Sequence, residues 1–231
     1  VEGMRALTIA IGLKLDERLH DPDPASRKAA DDFVQFMTPV AKAFCTDLGV
    51  ECTRLGIQIW GGHGYIRENG MEQYLRDAVI APIYEGTNGI QAADLVGRKV
   101  REDDGTRLEA VFGPIRDFLI ETSGQGAALA ALATAFAGLE RATAAIRVMP
   151  EEQALALATT YLKFFGLVVT GYYWGRMLCL SQGREEPFHR QKVVTATFYL
   201  TFLLGEWHML AAQIEAGGAS ILMAEAEMLA M

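Results

Sequence analysis

A single carboxylate, Glu85, lies in an irregular stretch of the chain between two predicted helices. Pro82 disfavours helix for the residue before it, and Gly86 interrupts the chain directly after the acid. The neighbours Ile83 and Tyr84 are largely apolar, so we expect Glu85 in an apolar cleft. A carboxylate that is shielded from water in this way acts as a general base near neutral pH. The alternative interpretation is a solvated loop glutamate.

The residues after Glu85 are of the types that begin a helix. Thr87 or Asn88 caps the helix that follows, because their side-chain oxygens accept hydrogen bonds from the N–H groups of a first turn. Asn88 and Gln91 also have the spacing of a capping box. The pattern therefore predicts a tight turn at the acid and a helix immediately after it.

A second segment, QIWGGHGY at residues 58–65, combines a polar side chain with bare backbone. Gly61, Gly62 and Gly64 allow positive φ and the close approach of a planar or phosphorylated ligand, and Gln58 offers a donor and an acceptor one turn earlier. A dinucleotide fingerprint is excluded, because its third glycine is missing and a helix stands where a strand is required. A glycine that only ends a helix is the alternative.

Three motifs, taken in order, resemble the carboxy-terminal helical domain of flavin-dependent acyl-CoA dehydrogenases. They are Gln58-x-x-Gly-Gly-x-Gly, Arg76-Asp77-Ala78 and Tyr84-Glu85-Gly86-Thr87, and the resemblance extends over residues 1–103. Beyond residue 103, the helical layout is similar to the extension of a larger branch that includes methylthiopropionyl-CoA dehydrogenase-like enzymes. Within this resemblance, Arg76 and Asp77 are expected to form a structural ion pair that orders the loop before Glu85.

The resemblance implies roles for the residues around the acid. Glu85 would remove the α-proton of an acyl-CoA thioester while a hydride leaves the β-carbon for N5 of FAD. The backbone N–H of Glu85, together with a ribityl hydroxyl of the flavin, would polarise the thioester carbonyl. Tyr84 and Gly86 would border the substrate, and Thr87 and Asn88 would lie against the flavin.

Further cofactor contacts are implied away from the acid. Gln58, Gly61 and Gly62 would touch the adenosine-diphosphate part of an FAD bound mainly to a neighbouring subunit. The resemblance therefore implies a homodimer or a higher homo-oligomer. Gly89 stands where many relatives carry a polar side chain that contacts flavin, so only a backbone contact is expected there.

The implied activity is the FAD-dependent α,β-dehydrogenation of an acyl-CoA in fatty acid metabolism, with an electron-transfer flavoprotein as acceptor. The family's amino-terminal helical domain and central β-domain have no counterpart in this sequence, which starts at Val1 within a predicted helix. We therefore expect a carboxy-terminal part of a longer polypeptide, inactive by itself. Two alternatives stay open: a helical scaffold or oligomerisation module without chemistry, and an acyl-CoA oxidase that uses oxygen with the same base.

The candidate site residues must be positioned by helices, because apolar residues recur with helical spacing along almost the whole sequence. Phe33, Val40 and Phe44 belong to one such face, and Pro39 and Gly49 within this run predict a kink or two abutting helices. Breakers follow at 21–24, 103–105, 123–126, 149–150, 182–183 and 217–218. We predict an all-α protein, with an antiparallel helical bundle at residues 1–104 and a second helical bundle at residues 105–231.

The composition argues against several other classes of function. A formal net charge of −8 without a basic stripe disfavours a nucleic-acid partner. Cys45, Cys52 and Cys179 are odd in number and lack CxxC spacing, which indicates a reducing, cytoplasmic compartment. Cys45 and Cys52 lie seven residues apart on a predicted helix and are expected to be buried thiols. The four histidines have no metal-ligand spacing, so no metal is expected. The apolar stretches 122–139, 164–175 and 193–205 are predicted to be core helices rather than membrane spans.

Overall fold

The computed structural model describes residues 1–223, which form helices and no strand, so the all-α prediction is confirmed. The helices are α1 (Glu2–His20), α2 (Pro24–Trp60), α3 (Gly62–Tyr65), α4 (Met71–Val79), α5 (Asn88–Asp94), α6 (Thr106–Glu121), α7 (Ala127–Val148), α8 (Glu151–Ala156), α9 (Ala158–Ser181), α10 (Pro187–Thr201), α11 (Trp207–Ala216) and α12 (Ala219–Leu222). Short 3₁₀ turns cover Arg67–Asn69 and Leu203–Glu206.

A tight hairpin joins α1 to α2 at the predicted break. The side chain of Asp23 caps α2 by accepting hydrogen bonds from the backbone N–H groups of Ala25 at 3.1 Å and Ser26 at 3.2 Å. These bonds, of which the one from Ala25 contributes most, hold the pKa of the Asp23 carboxyl below its usual range. Arg18 and Asp31 meet across the hairpin at 3.2 Å. The two helices therefore lie side by side and run in opposite directions.

Helix α2 is one continuous element of 37 residues that passes through Pro39. The prediction of two abutting helices is therefore wrong. Tertiary packing outweighs the hydrogen bond that proline cannot donate, since Phe36, Met37, Val40 and Phe44 on this helix are all buried. The length matters for function, because this one helix contacts α3, α4 and α5, which surround both motif segments.

Helix α9 is the centre of the core, with sixteen of its 24 residues buried. It packs against α1, α2, α5, α7, α10 and α11, as a helix that is apolar on every side must. A Cβ atom at Gly166 would overlap the ring of Phe44, so glycine permits the close approach of α9 to α2. One continuous core thus crosses from the first half of the chain to the second. The division at 104/105 stays a prediction.

A π-helical segment, Leu95–Arg101, continues α5 and buries Leu95, Val96 and Val100. The guanidinium of Arg101 donates hydrogen bonds to the carbonyls of Ile146 and Met149 at the end of α7. A cation at this point also complements the negative end of the helix dipole. The segment therefore fastens the α5 region to the second half of the chain.

Two remaining expectations concern burial. Helix α7 is long and apolar enough to cross a membrane by length and composition, but half of its most apolar window is buried inside the protein, as in a core helix. The three cysteines are free thiols, and Cys45 and Cys52, which were predicted to be buried, are half-buried, as is Cys179. Burial nevertheless raises the pKa of Cys45 to about 11.

Candidate active site

The acid lies in a turn between α4 and α5, which we call the Glu85 turn (residues 82–88). The backbone N–H of Asn88 donates a hydrogen bond to the carbonyl of Pro82 at 3.0 Å and closes this turn. Glu85 has φ 54° and Gly86 has φ 87°, so two consecutive residues are left-handed. Glu85 is the one non-glycine residue with positive φ in residues 1–223. Such strain in a non-glycine residue is typical of functional sites.

Glu85 is exposed, and the expected apolar cleft is absent from residues 1–223. Its neighbours Ile83 and Tyr84 are themselves 56% and 52% exposed. The turn lies on the outer side of α2, and no second layer formed by residues 1–223 covers it. For the described part of the chain, the solvated loop glutamate is therefore the correct description.

The backbone of the Glu85 turn offers unused donors. The N–H groups of Glu85, Gly86 and Thr87 donate no hydrogen bond to any described residue. Successive N–H groups in left-handed and turn conformations form concave sites for an oxyanion. This arrangement can do two things at once, because the carboxylate can accept a proton while the adjacent N–H groups stabilise negative charge.

Thr87, rather than Asn88, is the residue that caps α5. Its hydroxyl oxygen accepts a hydrogen bond from the backbone N–H of Ile90 at 3.4 Å. The predicted capping box between Asn88 and Gln91 is wrong, because the Gln91 amide instead donates to the carbonyl of Glu85 at 3.4 Å. Gly89, the second residue of α5, is exposed beside the cap.

Asn88 is half-buried, and its side chain is bonded to α2. Its partners there include the side chains of Lys42, Thr46 and Asp47. These three contacts could not be predicted from the sequence, because more than forty positions separate each partner from Asn88 and none of the partners lies in a motif. No local signal identifies them.

The second motif segment ends α2 and turns back on it. Gly61, with φ 58°, donates its N–H to the carbonyl of Gln58 at 3.1 Å, which confirms the helix-ending role. Gly64 is buried, and a Cβ atom there would lie 2.6 Å from the carbonyl oxygen of Ile57. Gly61 and Gly62 face open space, since a Cβ atom at either would meet nothing within 4 Å. Beside them Trp60 is 54% exposed.

The structure does not bring the two motif segments together. Asn88 contacts α2 near residue 44, whereas the glycine turn starts at residue 61, about 25 Å further along a helix that rises 1.5 Å per residue. Gln58, Gly61 and Gly62 therefore form one surface, and residues 84–89 form another. Each of the two surfaces is exposed to solvent over most of its residues.

The expected ion pair between Arg76 and Asp77 is wrong. The two side chains do not meet within 4 Å, and Asp77 instead accepts a hydrogen bond from Gln73 at 3.4 Å, one turn earlier. Adjacent residues on a helix do not face each other, whereas residues four apart do. Helix α4 therefore does not order the Glu85 turn through this pair.

Other concave regions lie away from both surfaces. A cavity of about 640 Å³ is lined by charged side chains, including Asp32 and Arg107. A second cavity, of about 540 Å³, is mainly apolar and lies between α1, α2, α6 and α9. No cluster of three or more His, Cys, Asp or Glu side chains suited to a metal occurs in residues 1–223.

Comparisons with known proteins agree with the resemblance of the motifs. The family profile described as "Acyl-CoA dehydrogenase, C-terminal domain" matches residues 17–100, and "Acetyl-CoA dehydrogenase C-terminal like" matches residues 111–225. The 3-methylmercaptopropionyl-CoA dehydrogenase of Ruegeria pomeroyi is 38% identical over 96% of this chain and 40% of its own length.

Two further relatives are more distant. The broad-specificity linear acyl-CoA dehydrogenase FadE5 of Mycobacterium tuberculosis is 28% identical over 86% of this chain and 36% of its own length. A butyryl-CoA dehydrogenase of Syntrophomonas wolfei is 29% identical over 89% of this chain and 36% of its own length. The chain thus spans about two fifths of the relatives that it matches. It belongs to the acyl-CoA dehydrogenase family, and it corresponds to the carboxy-terminal helical part of that family.

Proposed function

We propose that this chain supplies the general base and part of the cofactor surface of an FAD-dependent acyl-CoA dehydrogenase. The observation that carries the proposal is the Glu85 turn, in which a strained carboxylate stands beside three unused backbone N–H groups. Strain of this kind costs about 1–3 kcal/mol and persists where a function requires it. A scaffold without chemistry has no need for it.

The chain's own groups fit the removal of a proton next to a thioester carbonyl. The Glu85 carboxylate accepts the α-proton, and its backbone N–H donates a hydrogen bond to the carbonyl oxygen on which negative charge develops. FAD, when bound, accepts the hydride that leaves the β-carbon. Tyr84 and Gly86, on either side of the base, border the acyl-CoA.

The exposed surfaces have the character that FAD requires. The backbone at Gly61 and Gly62 has no side chain in front of it, so a phosphate group can approach it closely. The exposed amide of Gln58 lies one turn earlier and offers a hydrogen-bond donor and acceptor. We assign these three residues to the adenosine-diphosphate part of the cofactor. Thr87, Gly89 and the backbone of Asn88 are assigned to the flavin.

The distance between the two surfaces supports an oligomer. Because they lie about 25 Å apart along α2, we propose that each serves a different FAD of a homodimer or higher homo-oligomer. Exposed aromatic side chains near both surfaces, Trp60, Tyr65, Tyr74 and Tyr84, are then covered by the rest of the enzyme.

The relatives' names guide the substrate and the partners. They are named as dehydrogenases of acyl-CoA thioesters, so we propose an acyl-CoA as substrate. An electron-transfer flavoprotein as acceptor and a role in fatty acid metabolism are proposed from the resemblance of the motifs. The free cysteines are compatible with a reducing, cytoplasmic compartment. The 231-residue chain alone is proposed to be inactive, because residues 1–223 leave the Glu85 turn open to solvent.

The test is Glu85→Gln in the full-length enzyme that contains this chain, assayed for dye-linked acyl-CoA oxidation. We expect the rate of acyl-CoA oxidation to fall by about 10²–10⁴-fold while the FAD content is unchanged, because this is the usual contribution of a general base. The matched control is Glu68→Gln, at another exposed glutamate in a turn, which should keep full activity. Undiminished activity of Glu85→Gln would favour the scaffold hypothesis, and peroxide formation in air would favour an oxidase.

A further inference from the structure

Asn88 is the one residue between positions 83 and 90 that is not exposed. We propose that it is a positioning residue, which ties the Glu85 turn to α2 and thereby fixes the direction of the Glu85 carboxylate and of the adjacent N–H groups. The proposal rests on the function proposed above for Glu85. It assigns the Asn88 side chain to α2 instead of to the flavin.

The amide of Asn88 is bonded to α2 through both of its polar atoms. Its Oδ1 accepts a hydrogen bond from Lys42 Nζ at 2.8 Å. Its Nδ2 lies within hydrogen-bond distance of three acceptors, which share its two N–H groups: Asp47 Oδ1 at 2.7 Å, Thr46 Oγ1 at 2.9 Å and the carbonyl oxygen of Ala43 at 3.2 Å. An amide has one acceptor oxygen and two N–H donors, so the side chain has little capacity left for a cofactor.

The charges on α2 select an amide at this position. Lys42 presents a cation to the oxygen and Asp47 presents an anion to the nitrogen, which makes both hydrogen bonds charge-assisted and fixes the amide in one orientation. A carboxylate at position 88 would be repelled by Asp47, and an apolar side chain would leave both charged groups without this partner. The anchor is therefore specific to asparagine.

The anchor acts on the base through the backbone. Asn88 closes the Glu85 turn by donating its N–H to Pro82, three residues before Glu85. Within the turn, Glu85 and Gly86 are both left-handed, and such a conformation persists only where the surroundings over-determine it. The other side-chain bonds of the turn are long, since Gln91 reaches the Glu85 carbonyl and Thr87 reaches the Ile90 N–H at 3.4 Å each. The shorter contacts of the Asn88 side chain with α2 are thus the strongest side-chain restraint on the turn.

The first test uses hydrogen exchange of the 231-residue chain and needs neither cofactor nor activity. In Asn88→Ala, the amides of residues 83, 84 and 88 should exchange at least tenfold faster, while those of α9 stay unchanged. The matched control is Asn69→Ala, which removes a similar amide that donates to the His63 carbonyl at 2.8 Å in another turn. Unchanged exchange in the turn of Asn88→Ala would overturn the proposal.

The second test uses charge rescue in the full-length holoenzyme. Asn88→Asp places two carboxylates together and should lower kcat about 10–100-fold, with a larger α-deuterium isotope effect and normal FAD content. Adding Asp47→Asn replaces the repelling carboxylate on α2 with an amide that can donate a hydrogen bond to the carboxylate at position 88. The kcat of the double variant should therefore be at least tenfold higher than that of Asn88→Asp alone.

The outcomes separate the possible roles. No rescue, together with lost FAD or an altered flavin spectrum, would assign Asn88 to the cofactor and refute the positioning role. Full activity of Glu85→Gln would instead refute the proposed function, while the exchange experiment would still decide whether Asn88 anchors the turn.

Discussion

Replacing Glu85 with glycine should stabilise the isolated chain or leave its stability unchanged. Glu85 is the one non-glycine residue of residues 1–223 with positive φ, at 54°. A left-handed conformation costs an L-residue about 1–2 kcal/mol, and glycine does not bear this cost. The carboxylate is exposed and makes no ion pair within the described chain, so its removal breaks no such contact.

The expected magnitude follows from two opposing effects. Relief of strain contributes about 1–2 kcal/mol, and the greater backbone freedom of glycine in the unfolded state takes back about 0.5–1 kcal/mol. The net gain in the free energy of unfolding is therefore about 0–1.5 kcal/mol. At an ordinary helical position the same exchange loses about 0.5–1 kcal/mol, because no strain is relieved. The exposed Glu215 in α11 is such a position.

Thermal unfolding followed by circular dichroism measures both variants. For a chain of this size, 1 kcal/mol corresponds to about 2–4 °C in Tm. We expect Glu85→Gly to leave Tm unchanged or to raise it by up to about 6 °C, and Glu215→Gly to lower Tm by about 1–4 °C. If Glu85→Gly lowers Tm as much as Glu215→Gly does, the turn is not strained, and the argument from strain to function fails.

Three further predictions concern packing, protonation and the π-helical segment. Gly166→Ala should destabilise the fold by about 1–3 kcal/mol through overlap with Phe44, whereas Gly49→Ala, with open space around it, should stabilise it by about 0.5–1 kcal/mol in urea titrations. Burial raises the pKa of Cys45 to about 11, so between about pH 9 and pH 11 the folded state keeps a proton that the unfolded chain loses. The free energy of unfolding should therefore fall across that pH range, and it should fall less in Cys45→Ala. Arg101→Met should cost about 2 kcal/mol in the same titrations, because it leaves carbonyls at the end of α7 without their donor, and Arg101→Lys should cost less.

The fold was predictable because its signals are local. The helical spacing of apolar residues and the breakers at residues 21–24, 149–150 and 182–183 all correspond to helices and helix ends in the structure. The π-helical segment Leu95–Arg101 was not predictable, since the single Gly97 within it does not specify a π-helix and its register follows from what it packs against. The same holds for α2, where burial of Val40 and Phe44 carries the helix through Pro39.

The turn that carries the candidate site was predictable from the sequence, and the surroundings of that turn were not. Glu85, Gly86 and Thr87 could be selected from sequence because a turn, an acid and a helix cap follow one another. The burial of Glu85 could not, because burial depends on which parts of the molecule cover the turn. The role of Lys42 was equally hidden, since its contact with Asn88 joins positions 46 residues apart.

If Glu85 is the base proposed above, its exposure and its strain indicate which part of the task belongs to residues 1–223. A carboxylate in water is a weak base for a thioester α-proton, and shielding from water makes it effective. Shielding cannot come from residues 1–223, which leave Glu85 open. Direction can come from them, because the left-handed backbone and the bonds of Asn88 to α2 fix where the carboxylate stands. A base held in place before its cover arrives loses little conformational freedom when the site closes, and that advantage offsets the strain in the turn.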